Sequence, residues 1–205
     1  MFLDEFHRIL IEAGASLLAA HKTRNIIRKA YSRPSRHYHN LAHLENLHAQ
    51  LLPVWDRLED PNAVVFAIAY HDLTYNVRST SNERRSADRA TKQLGSMGID
   101  PRTIERCTAH IRATAGHALS EDPDTNLFTD ADLSILGAPL EAYARYAEQV
   151  RKEYGIYPDF LYKPGRRKVL AHFLAMPRIF KTAYFHDLIE EQARVNLREE
   201  LARLG

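Results

Sequence analysis

The hexapeptide Tyr38-His39-Asn40-Leu41-Ala42-His43 is the first stretch whose residue types and spacing could do chemistry. Two histidines four apart lie on one face of a helix, about 40° apart around its axis. Downstream, the apolar run Ala63–Tyr70 ends in His71-Asp72, and Phe128–Gly137 sets Asp130 and Asp132 in an apolar context. Two polar groups without partners at the end of a core element would be costly, and coordination of a cation removes that cost. A neutral imidazole, a His-Asp pair and a distant aspartate make a mixed nitrogen and oxygen ligand set. Such a set suits a divalent cation that keeps positions open for water or substrate. The candidate ligands are one of His39 and His43, with His71, Asp72 and one of Asp130 and Asp132.

Two ambiguities must be resolved within that set. His-Asp occurs twice, at 71-72 and at 186-187. In the second pair Asp187, with Glu190 three residues on, reads as a cap opening an acidic helix at Asp187, so the metal goes to the first pair. Asp130 and Asp132 point to nearly opposite sides of a helix. Asp132 belongs with Ile135 and Leu136 on the inner side, which leaves Asp130 to cap or to support.

The elements that must position these groups are helical. Phe2, Phe6, Ile9, Leu10, Ala13 and Leu17 recur at helical spacing, and a second helical piece reaches Tyr31 before Arg33-Pro34 breaks it. The histidine-bearing helix continues through Leu47, Leu51, Val54 and Leu58, with His43 on its inward stripe. Asp60-Pro61 is a capping carboxylate followed by proline at the first helical position, so Ala63–Tyr70 is expected to be a helix buried on all sides. Ser81-Asn82 caps a helix ending at Gly95 or Gly98, whose inward stripe Glu83, Ala87, Ala90, Leu94 carries a carboxylate one turn in. Asp100-Pro101 repeats the start signal, and His110, Thr114 and His117 follow along one edge, provided the helix continues past Gly116. Helices are further expected around Asp132, over Leu140–Tyr154, over Arg166–Met176 and from Asp187 to Leu204. No convincing alternating strand is present, so the fold class is all-α, a helical bundle expected to form one domain over residues 1–205.

The order His43, His71-Asp72, Asp132 resembles the HD-domain metal-dependent phosphohydrolases, and the chain is most similar overall to their small bacterial members. Tyr38–His43 also reproduces the Tyr-His-Asn-x-x-His motif of the cyclic-nucleotide phosphodiesterases in the same superfamily, and Ala131–Ser134 resembles the stretch that holds their last metal-binding aspartate. The resemblance implies an all-helical fold with His43 as a ligand and His39 as the general acid for the leaving oxygen. It also implies hydrolysis of a small phosphomonoester or phosphodiester, a nucleotide among the options. The cation would be Mn²⁺, Mg²⁺, Co²⁺, Fe²⁺ or Zn²⁺, with His110 and His117 available for a second metal or for phosphate. Many small members carry glutamate four residues after the motif histidine, where this chain has Tyr75; Glu83 is the candidate to take over that role. Two rival functions share these ligands: a binuclear iron oxygenase, and a nucleotide-binding module without turnover.

Composition bounds the rest. With 205 residues, 45% hydrophobic and 26% charged, the chain can bury a sizeable core and is not of disordered composition. A net charge of +2 permits an anionic ligand. The basic clusters are modest, at Arg84-Arg85, Arg151-Lys152 and Lys163–Lys168. Arg112, Arg151 and Lys163–Lys168 are candidates for phosphate contact, and nothing forms the long basic stripe that would make nucleic acid the leading partner. No apolar run approaches the ~18 residues of a membrane span. The acidic start Met1–Phe6 is unlike a secretory signal, so a cytoplasmic location is expected. The single Cys107 excludes an internal disulfide and a cysteine-rich zinc site.

Overall fold

In the computed structural model, which describes residues 1–205, the chain forms ten α-helices and two short 3-10 helices with no strand. It divides into two compact units, residues 1–129 and 130–205, and the division falls inside one uninterrupted helix.

The first unit contains α1 (Phe2–Glu12), α2 (Leu17–Tyr31), α3 (Leu41–Leu51), α4 (Pro61–Tyr70), α5 (Asn82–Ser96), α6 (Pro101–Ala113) and the start of α7 (Pro123–Leu133). Its centre is α4. Asp60 caps it by accepting the Ala63 N–H at 2.9 Å, with Pro61 in the first turn. Every residue from Ala63 to Tyr70 is inaccessible to solvent, as the unbroken apolar run requires. Helices α1, α3, α5 and α6 all pack on α4. Aromatic side chains join α1 to α4, where the Phe6 ring meets those of Phe66 and Tyr70 edge-on at 6.1 and 6.2 Å. Because α4 is wrapped on all sides, whatever its C-terminal end carries is held in a rigid frame.

The second unit contains the 3-10 turn Ser134–Gly137, α8 (Leu140–Glu153), α9 (Asp159–Ala175) and α10 (Ala183–Arg203). Gly137 lets the turn approach α10 closely, since a Cβ there would lie 2.5 Å from Ile189 Cβ. The Asn196 amide of α10 donates to the Leu136 and Ala138 carbonyls, both at 2.8 Å. Helices α9 and α10 are also joined through Arg166, whose guanidinium grips the Glu200 carboxylate at 2.7 and 2.9 Å. Burial would raise the Glu200 pKa, but Arg166 and the Tyr143 hydroxyl outweigh it and hold the carboxyl below its usual range.

Four sequence expectations are corrected here. The last helix opens at Ala183, capped by Thr182, so Asp187 lies inside it and caps nothing. Glu190 instead accepts the Ile179 and Phe180 amides and pairs with Arg194. Helix α9 begins at Asp159 and runs through Pro164; the missing proline N–H would have met the Phe160 carbonyl, on a residue 75% exposed, where water can serve. The histidine-bearing helix ends at Leu51, and Pro53 turns the continuation into a 3-10 helix over Leu52–Arg57. Helix α6 stops at Ala113, so His117, at φ +48°, does not extend the edge of His110. Asp130 caps no helix but supports the approach to α10: fully buried, it accepts the Lys181 and Thr182 amides and the Thr182 hydroxyl at 2.7–2.9 Å.

Candidate metal centre

The site grows from two helix ends. At the first, Asn40 caps α3 by accepting the Ala42 N–H at 2.8 Å, while its own amide donates to the His37 carbonyl at 2.8 Å. That cap starts the helix at Leu41, so His39 lies before it and only His43 is helical; the expected helical pairing of the two rings is corrected accordingly. His43, 5% exposed, is in the first turn and faces inward.

At the second end, His71 follows directly on α4 and is 2% exposed. Its Nδ1 lies 3.0 Å from the Ile68 carbonyl, which can only accept, so Nδ1 carries the proton and Nε2 presents a lone pair in the neutral ring. A carbonyl on the far nitrogen is the usual way in which a ligating imidazole is oriented. His43 Nε2 faces His71 Nε2 at 3.0 Å. One proton on either nitrogen can join the two; a cation takes both lone pairs once the protons on them leave.

Asp132 joins them from the last turn of α7. The earlier turns of that helix are fixed in the first unit, where Asp124 accepts the Glu59 and Asp60 amides and Thr125 meets His110. One ligand atom each from His43, His71 and Asp132 lie within 4.8 Å of one another. Asp72 is adjacent, with Oδ2 at 3.2 Å from His71 Nε2 and 3.9 Å from His39 Nε2. Burial would push the Asp72 carboxyl up, but His71, His39 and His43 around it prevail and hold it well below the usual carboxylate range. The donor set fits a cation: two nitrogens each about 2.1 Å from one metal and meeting near a right angle stand about 3.0 Å apart.

His39 overlooks this group. Its side chain is 22% exposed, tilted by 34° against the Tyr75 ring at 4.5 Å and set edge-on to Tyr38 at 4.9 Å. Tyr75, the residue at the place where glutamate was expected, therefore forms one wall of the His39 niche. Glu83 is not part of the grouping. It is half-buried, and the inward groups of its turn are Asn82 and Ser86, which hold the backbone at Asn76 and Thr74. His110 is fully buried, with Nδ1 at 2.7 Å from the Thr125 hydroxyl and Nε2 buried without a hydrogen-bond partner. Burial lowers its pKa, against the opposing pull of Asp122 and Asp124. Both His110 and His71 contact Phe128, at 6.0 and 5.9 Å, but His110 is outside the ligand grouping.

The basic candidates have structural work as well. Arg151 donates to Asp159 at 2.8 Å and to the Tyr157 carbonyl, and Arg166 is committed to Glu200. His186 pairs with its neighbour Asp187 at 2.9 Å on α10. Sequence reasoning passed over Tyr31 and Arg36, which grip the backbone at Asp72 from both sides. Arg36 stands in a polar loop and reads as surface there; no sequence signal marks it as 6% exposed. No protein-family model matches the chain, and no curated protein matches it.

Proposed function

We propose that the chain is a metal-dependent phosphohydrolase of the HD type, acting on a small phosphomonoester or phosphodiester. The observation that carries this reading is the convergence of His43, His71 and Asp132 with Asp72 beside them. The ligand order along the sequence, His, His-Asp, Asp, adds the resemblance to HD enzymes. A bound divalent cation would neutralise phosphate charge and lower the pKa of a coordinated water.

The protein residues divide the remaining work. His43, His71 and Asp132 hold the cation, with Asp72 as the fourth ligand. The Ile68 carbonyl keeps the His71 lone pair aimed at it. His39 is exposed enough to meet a substrate, and an imidazole in that place can give a proton to the leaving oxygen. The Asp72 carboxylate lies 3.9 Å from the Nε2 of that ring. Tyr75 limits the ring's rotation.

The test is a phosphate-release screen over monoesters and diesters, run on chelated protein with Mn²⁺, Mg²⁺, Co²⁺, Fe²⁺ or Zn²⁺ added back singly. Turnover restored by a metal in the parent and absent in His43→Ala is the expected result. Metal-independent release, or none with any cation, would count against the assignment.

A further inference from the structure

Arg36 is a buried cation whose side-chain hydrogen bonds go to backbone carbonyls. Its Nη1 donates to the His39 carbonyl at 3.1 Å, and its Nη2 to the carbonyls of Asp72 at 2.7 Å and Leu73 at 3.3 Å. Tyr31 and Tyr75 cover the guanidinium, with its carbon 4.6 and 5.4 Å from their ring centres. The Tyr31 hydroxyl accepts the Asp72 N–H at 3.1 Å, so the Asp72 peptide is held at its amide and at its carbonyl. Burying a guanidinium is costly, and a planar fork with fixed donor directions can bind two separate backbone segments at a set spacing. The two segments it joins carry His39 and Asp72.

We propose that Arg36 is a positioning residue for the metal centre: it fixes the spacing between the His39 imidazole and the Asp72 carboxylate by holding both peptides on one rigid group. This rests on the reading of the site as a metal-dependent hydrolase. Three properties follow. The clamp acts through backbone, so it aims both side chains without touching the reacting atoms. It shares Tyr75 with His39, since that ring lies against both the imidazole and the guanidinium. A lysine at 36 reaches one segment but cannot span two.

The experiment uses the full chain as parent, Arg36→Lys and Arg36→Ala, with helicity and melting recorded on chelated protein. Mn²⁺ affinity is measured by calorimetry, and turnover is compared on an alkyl phosphate and on nitrophenyl phosphate. Folded Arg36→Ala should bind Mn²⁺ about 10–100-fold more weakly than the parent, as loss of a supporting contact does. Millimolar guanidinium should recover part of that affinity in Arg36→Ala and leave the parent unchanged. Arg36→Lys should lose more turnover on the alkyl ester, which needs the proton from His39, than on the activated one. A lower melting point with Mn²⁺ affinity and ester ratio within twofold of the parent, in either folded variant, would overturn the proposal and leave Arg36 a stabilising residue alone. A parent that binds no Mn²⁺ rejects the metal reading itself and removes this one with it.

Discussion

At the scale of single residues, the groups proposed to hold a cation are distinct from the one proposed to move a proton. His39 stands 3.9 Å from Asp72 and is more exposed than His43 or His71. Replacing it with alanine should leave metal content unchanged while slowing hydrolysis of esters with poor leaving groups by about 10²–10⁴-fold. Nitrophenyl phosphate, whose leaving oxygen needs little protonation, should suffer much less. Equal losses on both substrates would remove the proton-donor role, and loss of metal would make His39 a ligand. The duplicated dipeptide supplies a control. His186 bonds its own neighbour on a partly exposed face of α10, so His186→Ala should keep turnover within a few-fold of the parent. A large loss there would show that the wrong pair has been assigned.

At the scale of elements, capping and one buried ion pair give the clearest expectations. Asp60→Ala should cost about 1 kcal/mol by uncapping α4, with a further loss from the Thr103 hydroxyl that Asp60 accepts at 3.0 Å. Asp187→Ala lies inside α10 and should change stability by no more than about 0.5 kcal/mol. Chemical denaturation of the two variants compares them directly; equal costs would contradict the placement of the caps. For α9 and α10, Glu200→Gln leaves Arg166 buried beside a neutral amide and should cost roughly 3 kcal/mol near neutrality. The Glu200 carboxyl has a depressed pKa in the fold, so its contribution is present above the ordinary carboxylate value and is lost as pH falls through the folded value. The gap between parent and Glu200→Gln should therefore narrow as the solution is acidified below about pH 4.5. A gap independent of pH would place the cost in packing.

The same scale shows what the sequence could and could not reveal. The all-α class, the buried α4 and the starts at Asp60 and Asp100 were legible, because each rests on a local pattern: an apolar run, a carboxylate and a proline in fixed order. His71-Asp72 stood out for the same reason, as polar groups at the end of that run. The fold departs from the local patterns where a distant residue takes a local role. Thr182, not Asp187, caps α10, because Asp130 holds the Lys181 and Thr182 amides from far away in sequence. His39 reads as helical until Asn40 is seen to cap at the next residue. Arg36 looks like one more basic loop residue, since its carbonyl partners at Asp72 and Leu73 are set by tertiary packing alone.

At the scale of the whole molecule, no helix is long and apolar enough to cross a membrane, and the near-neutral charge of +2 makes no strong field for a polyanion. The frame around the centre should be coupled to its ligand by mass action. A cation at 100 times its dissociation constant should stabilise the fold by about 2.7 kcal/mol, read as a raised melting temperature that chelator reverses. The central claim is that His43, His71 and Asp132 together hold one divalent cation. It is tested most directly by elemental analysis of protein purified without added metal and then reloaded, comparing the parent with His43→Ala and Asp132→Ala. The account predicts one tightly held cation per parent chain and its loss from both variants while circular dichroism stays helical. Stoichiometric metal retained in either folded variant, or none in the parent after reloading, would contradict it.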